Sequence, residues 1–152
     1  MLYKENIVAV EPIYVKGFGD ATKIYLKNGE TKVDKRKINT ILKEMAKREL
    51  VDMTQVHQLI KKYLSIRKSI PFVFNKNYIY IGIKTRKPIC KNDATLAFIN
   101  LNEIKEYNNG ILYLKNGAEI KVLDSKTLIR RKINNGILCG ILIEDRKRFT
   151  QQ

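Results

Sequence analysis

Residues 74–93 read FNKNYIYIGIKTRKPICKND. Up to Ser65 the apolar residues recur at helical spacing, and beyond it they follow a period of two, the mark of strands. Ile70-Pro-Phe-Val-Phe74 and Tyr78-Ile-Tyr-Ile-Gly-Ile83 are therefore predicted strands around the polar Asn75-Lys-Asn77. The second strand empties into Lys84-Thr-Arg-Lys-Pro-Ile-Cys-Lys91, with four cations in eight residues and no acid among them. The stretch belongs to a longer window. From Met53 to Asn92, forty residues hold nine Lys or Arg and no Asp or Glu.

Upstream, residues 7–15 (IVAVEPIYV) and 22–33 (TKIYLKNGETKV) read as strands, and Asn28-Gly29 marks a hairpin turn because both residues tolerate positive φ. Asp34 is the expected N-cap of a first helix, which carries Ile38, Ile41, Leu42 and Met45 and runs to Glu49. After Leu50-Val51-Asp52, a second helix capped by Asp52 or Thr54 presents Val56, Leu59, Ile60, Tyr63 and Leu64. His57 falls at the boundary of that stripe. Two helices with a three-residue connection also have the outline of a helix-turn-helix, but the turn holds no Gly, and helical hairpins are common without DNA.

Downstream, residues 95–104 suggest a strand, followed by a turn at Asn108-Asn-Gly110. Residues 111–114 and 119–123 form a hairpin about Asn116-Gly117. Residues 125–132 suggest a short helix, 137–143 a closing strand, and 146–152 a loose basic tail. Ile24-Tyr-Leu-Lys-Asn-Gly29 and Leu112-Tyr-Leu-Lys-Asn-Gly117 echo one another, through duplication or through convergence on one hairpin chemistry. The expected fold is α+β: antiparallel strands and hairpins at both ends, a helical pair in the middle, and one basic domain over residues 1–145.

Composition narrows the partners. A chain of 152 residues with 44% apolar content suits one globular domain. No apolar run approaches the roughly 20 residues of a membrane span, and residues 1–12 lack a secretory h-region, so a cytoplasmic location is expected. Cys90 and Cys139 lie far apart and read as buried free thiols. With His57 the only histidine, no metal or cofactor is expected. The fifteen carboxylates show neither nuclease-like spacing nor any familiar catalytic motif, so the reading is not an enzyme. The net charge of +15 and pI near 9.8 favour a polyanion. Nucleic acid leads, and the alternative is a basic inhibitor or interaction protein, of phage type, that binds RNA or the acidic surface of a nucleic-acid-processing protein. AT-rich coding explains many lysines but not forty residues without an acid.

Candidate phosphate contacts fall in clusters. Lys61 and Lys62 end the second helix, and Arg67 and Lys68 follow it. Lys84, Thr85, Arg86, Lys87 and Lys91 make the basic loop, and Arg130, Arg131 and Lys132 lie near the C-terminus. The cations of the first helix are interleaved with Glu44 and Glu49 and read as a solvated face.

Residues 67–125 resemble the ComK family of competence transcription factors. Arg67-Lys-Ser-Ile-Pro71 before Phe72-Val-Phe74 is similar to the family's Ser/Lys-Pro-Pro segment and short strand. Ile79-Tyr-Ile-Gly-Ile-Lys-Thr85 resembles its strand closing on Pro-Thr, keeping the Thr. Phe98-Ile-Asn-Leu-Asn-Glu-Ile-Lys105 stands where the family has a Trp-hydrophobic strand and a Val-Lys segment. Leu112–Gly117, Glu119–Leu123 and Ser125 stand at its hairpin and Ser segment. The family's Cys-x-x-Tyr-Gly-x-x-Tyr stretch has no counterpart in Met45 to Met53. The resemblance implies a regulator of AT-rich double-stranded DNA, a homo-oligomer, with minor-groove contacts. Separately, no membrane association is expected, because neither predicted helix joins a polybasic face to exposed bulky apolar residues. A narrow A-tract groove attracts inserted cations, and Arg86 in the basic loop is the first candidate for insertion.

Overall fold

A computed structural model describes residues 6–150. Six antiparallel strands form the main sheet: β1 (Ile7–Val15), β2 (Gly19–Leu26), β3 (Thr31–Asp34), β4 (Phe72–Asn75), β5 (Tyr78–Lys84) and β6 (Leu96–Asn100). Their spatial order is β3-β2-β1-β6-β5-β4, so β1 pairs with β6, Ala9 opposite Ile99 and Val10 opposite Phe98. A second sheet, β7 (Ile104–Asn108), β8 (Ile111–Leu114) and β9 (Glu119–Lys121), is a three-stranded meander. Helices α1 (Ile38–Arg48) and α2 (Met53–Leu64) lie between β3 and β4 in sequence, and α3 (Lys126–Thr150) ends the described chain.

The main sheet is covered on both faces. Ile7, Val10, Ile24 and Leu26 pack under Ile38, Ile41, Leu42 and Met45 of α1. Val8, Ala9, Tyr25, Ile81, Ile83 and Ile99 pack against Leu112, Leu114 and Ile120 of the small sheet and Ile129 of α3. A strand buried on both sides has no polar face to show. That is why 79–83 is buried at every position, and not at alternate ones as a period of two predicts. Val56, Ile60, Val73, Ile79, Cys139 and Ile143 form a third cluster between α2, α3 and the β4–β5 edge.

The α+β class stands, with one rearrangement. Strands occupy the N-terminal and central parts, but the C-terminal part is helical. The expected short helix at 125–132 and strand at 137–143 are one helix, and residues 146–150 of the expected tail continue it; 151–152 lie outside the described residues. Gly136 and Gly140 explain both the difference and the packing. A Cβ on Gly136 would sit 2.6 Å from Leu101 Cδ2 and 2.9 Å from Ile81 Cγ2, and one on Gly140 would sit 2.6 Å from Ile79 Cδ1. Two residues that weaken a helix in isolation let this one lie close on β5. Asp34 is not the cap of α1. It ends β3 and its carboxylate takes the backbone N–H and guanidinium of Arg36, while Lys37 stands at the N-cap without a side-chain bond. Asp52 does cap α2, accepting from Gln55 N.

The six-residue echo is part of a larger repeat. β2, turn, β3 and α1 recur as β8, turn, β9 and α3 at a constant spacing of 88 residues: Ile24 to Leu112, Thr31 to Glu119, Ile38 to Lys126. Both turns close with the same bonds, Leu26 N to Glu30 O and Leu114 N to Ala118 O, and Asn28 and Asn116 each accept from the residue two ahead. The two turns also meet, through Asn116 Nδ2 donating to Leu26 O at 2.8 Å.

Candidate nucleic-acid interface

Ser125 starts α3: its Oγ accepts Leu128 N and its carbonyl accepts Ile129 N. From that start, Leu128, Arg131, Lys132 and Asn135 recur on one side of the helix. Opposite them the α2–β4 connection presents Lys68, Ser69 and Pro71. Together with Ile81 these residues line a cleft of about 230 Å³. Lys132 is neutralised in place, with Nζ 2.6 Å from Asp124 Oδ2 and both side chains largely buried. The same oxygen accepts Lys84 N at 3.0 Å, and Leu123 N donates to Lys84 O at 2.7 Å. Lys68 and Arg131 are exposed and have no acidic partner among the described residues. They are the cations that the cleft offers to solvent.

The basic loop divides into a buried base and an exposed tip. Arg86 is not available for insertion. Its Nη2 lies 2.6 Å from Asp20 Oδ1, its Nε donates to Ala94 O at 2.7 Å, and its guanidinium stacks 4.0 Å over the Tyr14 ring. Only 12% of the side chain is exposed, so withdrawing it would strand Asp20. Thr85 is half-buried, with its N–H on Thr95 O and its hydroxyl unpartnered. The Asp93 carboxylate holds the tip by accepting Ile89 N, Cys90 N and the Tyr14 hydroxyl. These bonds, the Tyr14 one foremost, keep its pKa below the usual carboxylate range. Lys87, Ile89, Cys90 and Lys91 project from this pinned base, all exposed. Cys90 therefore departs from the expected buried thiol, whereas Cys139 is fully buried and burial pushes its pKa up to about 11.

Lys61 and Lys62 are exposed in the last turn of α2. Lys62 Nζ lies 5.2 Å and the Arg146 guanidinium 4.3 Å from the ring centroid of half-exposed Tyr63. Arg146, followed by the charges of both cations, lowers the Tyr63 pKa. Sequence reasoning misses this aromatic–cation patch. Tyr63 falls on the apolar stripe of α2, and Arg146 falls in a segment that reads as a loose tail. The available signal is two adjacent lysines beside a tyrosine at a helix end.

Arg67 is exposed and precedes Lys68 in the chain. Arg130 is exposed too, but on the outer face of α3, away from Leu128 and Lys132. His57 is half-buried, its ring edge-on to Phe72, and burial lowers its pKa, which favours the neutral form. The structure thus joins the 67–68 and 131–132 clusters, sets the 84–86 segment into the scaffold, and leaves 87–91 and 61–62 as separate basic surfaces. Among the described residues no cluster of His, Cys, Asp and Glu could hold a metal, and no helix is long and apolar enough to cross a membrane. No protein-family model, curated protein or solved structure matches the chain.

Proposed function

We propose that the chain is a ComK-like regulator that binds AT-rich double-stranded DNA from the cytoplasm, as a non-enzymatic protein without a cofactor. One observation carries the reading: cations 63 residues apart, Lys68 and Arg131, meet across one cleft with their charges unmatched. Side chains held in this way meet phosphates without first ordering a flexible segment, and each phosphate neutralised releases condensed counterions. Lys87 and Lys91 supply a second contact from a loop that is already shaped. Arg86 supports that loop from within. The AT preference follows from the resemblance and from the pull of a narrow, strongly negative minor groove on cations.

Fluorescence anisotropy on matched AT-rich and GC-rich duplexes, across a salt series, tests the proposal. The expected result is at least tenfold tighter AT-rich binding, about 1.4 kcal/mol. Replacing both Lys68 and Arg131 by Ala should reduce the log–log salt slope by about 2. Equal, weak binding that vanishes near physiological salt would overturn the DNA reading and transfer the charge to RNA or an acidic protein.

A further inference from the structure

The inner face of α3 is spent on the core through Ile129, Gly136, Cys139, Gly140 and Ile143. Its opposite face carries, at helical spacing, Arg130, Asn134, Ile137, Leu138, Ile141 and Asp145, all exposed. The three aliphatic side chains are 45%, 49% and 55% exposed, and they form a stripe in mid-helix rather than scattered residues. Ile137 and Ile141 also wall a cleft of about 400 Å³ that reaches down to Ile79, Leu101 and Gly140. Continuous apolar surface of this kind marks an association site. A stripe without a central cation is a poor match for phosphate.

The order of charges along the stripe selects the occupant. A cation stands at one end, aliphatic residues in the middle, and an anion at the other end. We propose that α3 pairs antiparallel with α3 of a second copy, about a two-fold axis between Ile137 and Leu138. In that register Arg130 faces the partner's Asp145, Asn134 faces the partner's Ile141, and Ile137 faces the partner's Leu138. Every contact then occurs twice, as a two-fold interface requires. Neither Arg130 nor Asp145 has an ion-pair partner among the described residues, so pairing breaks no existing bond. The basic cleft lies roughly a third of a turn around α3 from this stripe and stays open in the pair. A single helix pair lies at the small end of stable interfaces, so association on the order of 10 µM is expected.

Sedimentation velocity from about 1 to about 200 µM, without nucleic acid, tests the pairing independently of any DNA reading. The wild type should pass from monomer to dimer over this range. Ile141→Lys should raise the dissociation constant tenfold or more. Arg130→Asp and Asp145→Arg should each weaken association several-fold, and the double reversal should restore it to within about twofold. Far-UV circular dichroism confirms that each variant is folded; should Ile141→Lys unfold, the charge-reversal set carries the test. A wild type that stays monomeric throughout overturns the proposal and assigns the stripe to a different partner. So does a dimer indifferent to Ile141→Lys, or a double reversal no better than either single change.

Discussion

Arg86 shows how folding can take a cation out of an exposed loop reading and set it into the scaffold. The window from Met53 to Asn92 is free of acids along the chain, but not in space. Asp20, 66 residues away, arrives on β2 to meet Arg86, and Asp124 arrives from before α3 to take Lys84 N and Lys132. Charge clusters are legible in a sequence; the counter-charges that folding brings to them are not. Arg86→Ala should therefore destabilise the fold by about 3 kcal/mol, because it leaves a largely buried carboxylate unpaired. Lys87→Ala, one residue along and exposed, should stay within about 0.5 kcal/mol. Urea denaturation separates the two. The thiols give a second check at this scale. With the pKa of Cys139 pushed up to about 11 by burial, its neutral thiol is the stable form at neutral pH. Native protein should show one thiol, Cys90, reacting with Ellman's reagent, and a second only after denaturation. The linkage at Asp93 runs the other way. Its folded pKa is depressed, so the order it gives the loop is complete above the unfolded carboxylate range and is lost as pH falls through the lower folded value. Amide exchange at Ile89 and Cys90 should accelerate in that acidic range before the core amides do.

Elements with strong local signals are legible in the sequence, and α3 is not. The Asn-Gly turns, the strands around them and the stripes of α1 and α2 follow from local chemistry alone. α3 carries Asn134, Asn135, Gly136 and Gly140 within seven residues, a pattern that argues against a helix. Packing overrides that local preference, since a side chain at 136 would run into Ile81 and Leu101 and keep the helix from lying this close to β5. Gly136→Ala sets the gain of about 1 kcal/mol in helix propensity against overpacking of about 1–3 kcal/mol. The obstructing Ile81 Cγ2 is on a β-branched carbon that cannot swing away, so net destabilisation is expected. Gly140→Ala meets the flexible end of Ile79 and should be near neutral. Thermal unfolding of the two variants reads the difference. A sequence that hides α3 as one helix also hides the meeting of Arg131 with Lys68.

At the scale of the whole molecule, charge and topology decide different things. Thirty Lys and Arg against fifteen Asp and Glu give the molecule a strongly positive field, and the proposed reading takes a polyanion as its partner. The fold decides which cations remain free for it. Lys87 and Lys91 replaced together by Ala should lower duplex affinity at low salt with little sequence dependence, as phosphate contacts do; anisotropy on both duplexes measures this. The strand order has a consequence in time rather than in space. β1 waits for β6, about ninety residues later, before the main sheet can join. Long loops must close before that pairing rewards them, which slows folding. During synthesis, at roughly 5–20 residues per second, the β1–β2–β3 hairpins and α1 would leave the ribosome several seconds before their neighbour in the sheet. For that interval the inner edge of β1 is an open template, and a nascent chain stalled before residue 96 should be a strong client for chaperones that shield strand edges.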